Sequence, residues 1–246
     1  MNARYRPGRL VRRTALFFLV LCSGYSPSEA VYAVDSTCLY YKKIGDTAHL
    51  YINSFRPVGV GPPRPALVLF HGGGWVMSAP KAVDRHCKWL AQRGIHGFSV
   101  QYRLVKRESS AVSPMDCVED AKSAIRFLRC NAGSLGIDPV NFFTGGASVG
   151  GQLVATAVTA PNAFNDPNDP DISAVPRGLV LFCPALYLSW PGWKRGGDFL
   201  RAWLNTHTDL TQAQKDSVFN AMSPGLNVDS SFPPTVIFSG ELDKTT

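Results

Sequence analysis

The sequence predicts an α/β fold built on a mostly parallel sheet with helices on both faces. Three observations carry the prediction. Short aliphatic or β-branched runs, too short for helices, alternate along the chain with stretches of helical periodicity. Two of these runs lead directly into clusters of glycine, at Gly72–Gly74 and at Gly145–Gly146. The 246 residues, 45% hydrophobic and 17% charged, can bury one core of the larger single-domain kind and are too apolar for a disordered chain.

The N-terminus comes first. Arg4, Arg6, Arg9, Arg12 and Arg13 precede the apolar run Leu16–Cys22, and small residues follow around Ala30 and Ala33. This is the layout of an export signal, far below the ~20 apolar residues that span a bilayer. Residues 1–30 are therefore expected to be a signal peptide and residues 31–246 the folded domain. The expected location is secreted or periplasmic, without stable membrane insertion after cleavage. Most of the net charge of +7 also resides here: without the first thirty residues it falls to +3, from 20 basic and 17 acidic side chains. No clustered basic face remains, so a nucleic-acid partner is not expected. Five cysteines follow the signal (Cys38, Cys87, Cys117, Cys130 and Cys183), an odd number in no zinc-type spacing.

Ala66–Phe70 reads as a buried strand ending in glycines. From Ser78 the period changes, with Val83, Cys87, Leu90 and Ala91 on one helical face and Gly94 as the stop. His96–Tyr102 is the next strand. Ser113 caps a helix with Pro114 in its first turn, Asp116 at the positive end of the dipole, and Val118, Ala121, Ile125 and Leu128 facing inward. Asn141–Thr144 is a strand, Gln152–Ala160 a helix, and Leu179–Phe182 and Thr235–Phe238 are two further strands. Pro161–Pro176 reads as a surface loop. The aromatic stretch Trp190–Asn205 fits either a pocket wall or core packing.

Two segments carry chemistry. Gly146-Ala147-Ser148-Val149-Gly150 is a G-x-S-x-G turn between a strand and a helix. Side chains at Gly146 or Gly150 would collide with neighbouring elements, while the sharp turn presents Ser148 at a helix N-terminus rich in unpaired N–H groups. Phosphate-binding loops need a Gly-Lys-Ser/Thr ending or an acidic residue downstream of G-x-G-x-x-G, and neither is present. His71-Gly72-Gly73-Gly74-Trp75 follows the earlier strand. Its bare backbone suits an oxyanion hole, with donors expected from Gly73 and Gly74 together with Val149, and His71 expected to orient the loop rather than act as base.

With both motifs in this order, the chain resembles the hormone-sensitive-lipase-like esterases of the α/β-hydrolase fold. It is similar in particular to the secreted carboxylesterases grouped with bifunctional feruloyl and acetylxylan esterases. The resemblance runs from about Leu67 to Asp243 and includes Gln101-Tyr102-Arg103-Leu104, Gly136-Ile137-Asp138-Pro139, Ser223-Pro224 and Pro233–Gly240. It implies Ser148 as nucleophile and Asp243 as the triad acid, with Glu241 as competitor. The implied substrate is a small-molecule or polysaccharide-linked ester, with no metal or other cofactor. Relatives usually read Gly-Asp-Ser-Ala-Gly-Gly at the elbow. Here Ala147 and Val149 depart from that pattern, and the branched Val149 is expected to narrow the acyl pocket.

The resemblance also places a histidine, a last strand and a last helix after Asp243, where only Lys244, Thr245 and Thr246 remain. His49, His71, His86, His96 and His207 all lie upstream. The expectation is a C-terminally truncated, inactive form of a carboxylic-ester hydrolase. An amide or peptide hydrolase of the same fold and a non-catalytic binding protein are the alternatives; oligomeric state stays open.

Overall fold

The computed structural model describes residues 31–46, 48–59, 61–106, 111–188, 194–206, 209–241 and 243. The expected signal peptide, His207 and Trp190 lie outside the described residues. Strands β1 (Val34–Ile44), β2 (Ala48–Pro57), β3 (Arg64–Phe70), β4 (His96–Val100), β5 (Ile137–Ala147), β6 (Gly178–Phe182) and β7 (Thr235–Phe238) form one sheet in the order β1-β2-β4-β3-β5-β6-β7. β1, β2 and β4 pair antiparallel, whereas β4, β3, β5, β6 and β7 run parallel. The mostly parallel sheet predicted from the sequence is present.

Helices cover both faces because β3 is apolar on both. Leu69 packs with Val83 and Cys87 of α1 (Lys81–Ala91). Ala66, Val68 and Phe70 join the larger core with α2 (Pro114–Cys130) and α4 (Val149–Thr159), which follows the one-turn α3 (Ala132–Leu135). The sequence reading of α2 holds in detail. Ser113 accepts from Asp116 N in a capping box, and Val118, Ala121, Ile125 and Leu128 are fully buried. Among the described residues no helix is long and apolar enough to cross a membrane.

Some elements differ from expectation. α1 begins at Lys81 rather than near Ser78, and α4 begins at Val149 rather than Gln152. Glycine weakens a helix by about 1 kcal/mol, so Gly150 and Gly151 read as turn. Close packing overrides that preference, since a Cβ on Gly151 would lie 2.9 Å from Pro184 Cβ. β1 and β2, and α6 (Gln212–Ala221) after α5 (Lys194–Asn205), lack a clear apolar period and escaped the sequence reading. The five described cysteines are free thiols, with Cys87 and Cys117 buried as small apolar side chains.

The Pro161–Pro176 segment forms no helix or strand, as expected, but two basic side chains of α2 fasten it. Lys122, fully buried, donates to the carbonyls of Ala160 (2.7 Å), Pro161 (3.2 Å) and Ala163 and to Asn165 Oδ1 (3.2 Å). Arg126 donates to Ile172 O, Asp169 and Asn165. The stem of Lys122 is buried with the rest of the side chain, while its ammonium gathers the carbonyls of the segment around one charge. Replacing Lys122 by Met is expected to lower unfolding free energy by at least ~2 kcal/mol. Urea denaturation should show this, with limited proteolysis shifting to residues 161–176.

Candidate active site

Two bends at the carboxyl ends of β3 and β5 meet. In open parallel sheets this is the edge where ligands bind. A Cβ placed on Gly72 would lie 3.3 Å from Ser148 Cβ and 3.0 Å from Ala147 O. One placed on Gly150 would lie 2.6 Å from His71 O and penetrate Phe70 O. The glycines of each motif are thus needed by the backbone of the other, in addition to the steric reasons read from the sequence. A Cβ on Gly146 would penetrate Gly150 in the following helix turn, as the elbow pattern predicts.

Ser148 occupies φ 51°, ψ −117°, between β5 and α4. Holding a non-glycine residue there costs about 1–3 kcal/mol, which the surroundings must offset. Ser148 N donates to Phe182 O at 2.9 Å, and Ser148 O accepts from Gln152 N at 3.1 Å and Ala185 N at 3.3 Å. These bonds clamp the turn from β6 on one side and α4 on the other. The side chain remains half-buried, within reach of solvent. Val149 occupies the first helical position, so its N–H has no carbonyl one turn back within the helix. Its side chain is completely buried in the core, so the branch that was expected to narrow the acyl pocket is used in packing.

Four residues of the loop after β3 have positive φ: Gly73 at 119°, Gly74 at 62°, Trp75 at 66° and Ser78 at 86°. Gly73 O accepts from Val76 N and Met77 N, both at 3.1 Å. The N–H groups of Gly73 and Gly74 donate to no acceptor among the described residues, and both glycines are half-buried. Such amides suit an incoming oxyanion because nothing must be broken before they bind it.

Buried polar contacts hold this loop. Tyr102 OH donates to His71 O at 2.9 Å and lies 3.2 Å from His71 Nδ1, and the two rings stack 4.3 Å apart. His71 Nδ1 also faces Gly72 O at 2.8 Å. Burial lowers the His71 pKa, keeping the ring neutral. Its contacts tie the loop to Tyr102. The next residue, Arg103, pairs with Asp120 of α2 through Nε (2.7 Å) and Nη2 (2.8 Å), fixing the Tyr102 segment to the core. Trp75, buried, donates from Nε1 to Gln152 Oε1 at 3.3 Å, tying the loop to α4. Gln152 in turn donates to Met222 O and Thr156. Sequence reasoning missed Tyr102, Arg103, Asp120 and Gln152 as supports, because their pairing is long-range.

Trp75 also stacks on Phe199 of α5, ring centres 6.1 Å apart, while Leu200 and Leu204 enter the core. The described part of the aromatic stretch therefore both packs in the core and walls the Gly72–Trp75 loop. Asp243 follows β7 in a turn closed by Asp243 N to Gly240 O at 3.0 Å and is half-buried, whereas Glu241 is exposed. Among the described residues Ser148 Oγ has no imidazole partner. His49 and His86 are exposed, and His96 opens β4 at the opposite edge of the sheet.

The family profile of BD-FAE matches residues 53–246, and the chain belongs to that family. It has the α/β-hydrolase fold of the carboxylesterases. Esterase 2 of Thermogutta terrifontis phosphoramylated by tabun is similar, with a TM-score of 0.68 and 33% identity over 82% of this chain and 70% of that one. The propionate-bound form of the same esterase gives 0.66 and 32% over 86% and 72%. The arylesterase of Saccharolobus solfataricus is 37% identical over 87 residues, 35% of this chain and 27% of the relative. Versiconal hemiacetal acetate esterase of Dothistroma septosporum is 28% identical over 141 residues, 57% of this chain and 40% of the relative. The chain thus spans less than half the length of these curated relatives.

Because Gly150 abuts Phe70 O and His71 O, Gly150→Ala is expected to force the two bends apart. Unfolding free energy should fall by more than ~2 kcal/mol, a cost typical of overpacking at a strained site. A thermal melt checks this, with Gly133→Ala, where an added Cβ meets nothing within 4 Å, as the neutral reference.

Proposed function

We propose that this protein hydrolyses carboxylic esters through an acyl-enzyme intermediate. The observation that supports the reading is the close approach of Gly72 to the Ser148 turn, with the serine half-buried and the Gly73 and Gly74 N–H groups uncommitted among the described residues. Ser148 Oγ attacks the ester carbonyl, and the N–H groups of Gly73, Gly74 and Val149 hold the negative oxygen of the tetrahedral intermediate. The alcohol leaves, and water then releases the acid from the serine. Asp243, on the same sheet edge and less exposed than Glu241, orients the imidazole that takes the serine proton.

That imidazole is proposed to come from sequence after Asp243. His71 is committed to bracing its loop, and the solved esterases similar to this chain are longer than it is. Without a base the serine stays a poor nucleophile. In a serine hydrolase of another fold, loss of the histidine costs on the order of 10⁶ in turnover. The 246 residues alone are therefore expected to be close to inactive.

The substrate is proposed to be a small-molecule or polysaccharide-linked ester. A relative that binds propionate and another named for an acetate ester favour a short acyl group. Reaction of the Thermogutta esterase with tabun supports a serine open to electrophiles. Export is proposed from the arginine-rich, apolar N-terminus, which lies outside the described residues.

In a gene product continued past Thr246, p-nitrophenyl acetate should be hydrolysed and the matching anilide should not. Ser148→Ala should reduce ester turnover to background, and Asp243→Asn should reduce it by about 10²-fold or more. Undiminished turnover in the alanine variant would refute the assignment.

A further inference from the structure

At the amino ends of the strands, opposite the Ser148 edge, lies a pocket that the esterase reading leaves unused. It has a volume of about 550 Å³ and is lined by Arg56 at the end of β2, Arg64 at the start of β3, His96 at the start of β4, and Gly136 before β5. Small-molecule sites have volumes of this order, roughly 300–1,000 Å³.

Its polar groups are incompletely satisfied. His96 is only 5% exposed, yet neither ring nitrogen has a hydrogen-bond partner among the described residues, and its Nδ1 is sealed from solvent. Arg56 Nε is also buried without a partner, although its Nη2 pairs with Asp35 at 2.7 Å. Arg64 lies over the Tyr32 ring, 4.5 Å from its centre, and makes no ion pair among the described residues. Buried polar groups without partners cost free energy, and buried imidazoles are normally hydrogen-bonded. With Asp35 offsetting Arg56, the lining retains one net positive charge. Pro57, Val58, Pro62 and Leu135 supply an apolar wall.

We propose that this pocket binds an organic monocarboxylate with a compact apolar body. The carboxylate pairs with the Arg64 guanidinium, whose planar fork matches two carboxylate oxygens, and it accepts from Nε2 of His96, the ring nitrogen that is not sealed from solvent. The apolar body rests against the proline-rich wall. One net positive charge suits a monoanion better than a phosphate dianion.

The site also predicts a change in His96. Burial, and next the charges of Arg56 and Arg64, push its pKa down to about 4. An anion beside it stabilises the imidazolium, so binding should move its titration midpoint upward. Asp35, Arg56 and Arg64 are the charged groups lining the pocket with it.

The test is NMR titration of the 246-residue chain with labelled histidine, using benzoate, with inorganic phosphate as the comparison anion and His71 as the reference for the Ser148 edge. Benzoate should shift the His96 signals saturably, leave His71 unmoved, and raise the His96 midpoint above about 4. Arg64→Gln should weaken this binding about tenfold or more, the loss of one charge-assisted pair. The midpoint measurement needs no variant, so a misfolded mutant leaves the proposal testable. No saturable His96 shift, an unchanged midpoint, equal affinity in a folded Arg64→Gln, or tighter binding of phosphate than benzoate would each overturn it.

Discussion

The structure around Ser148 depends on backbone approaching backbone where no side chain fits. Gly72 abuts the carbonyl of Ala147 and the β-carbon of Ser148, and Gly150 abuts the carbonyls of Phe70 and His71. Each contact locks the end of one parallel strand to the turn after its neighbour, since β3 and β5 are paired through Phe70 and Gly146. A serine in an unfavourable backbone conformation and the positive-φ Trp75 and Ser78 of the loop persist because this packing leaves them little room to relax.

Buried polar bonds complete the restraint. The route runs from Asp120 in α2 to Arg103, along the chain to Tyr102, and through its hydroxyl to His71 O; a second runs from Met222 O through Gln152 to Trp75. Charge-assisted bidentate pairs hold geometry well, and Asp120 is wholly buried beneath Arg103. The loop amides are therefore held in place by buried side chains on both flanks. In the proposed reaction such fixed donors need not move as charge develops.

Much of this was legible in the sequence for a physical reason. Buried parallel strands such as Ala66–Phe70 must be apolar on both faces, α2 must bury one stripe and cap its first turn, and the glycines mark bends that exclude side chains. Other parts were not legible. β1 is mostly exposed and carries little apolar pattern, while α6 buries Phe219 as its one fully covered residue among those described. Gly150 and Gly151 disguise the start of α4, because close packing against Phe70 and Pro184 matters more there than helix propensity. The lysine and arginine anchors of the 161–176 segment, and the arginines around His96, come together only through folding. Membership of the BD-FAE family agrees with the motifs, yet the supports of the Gly72–Trp75 loop emerge only from coordinates.

The central claim is geometric: the hydroxyl of Ser148 and the N–H groups of Gly73, Gly74 and Val149 address one atom. A crystal structure of the protein after reaction with paraoxon tests it most directly, since the phosphoryl oxygen stands where the oxyanion would form. The account predicts a single adduct on Ser148 with that oxygen about 2.7–3.1 Å from at least two of the three nitrogens. An adduct on another residue, or a phosphoryl oxygen turned to solvent away from these amides, would contradict it.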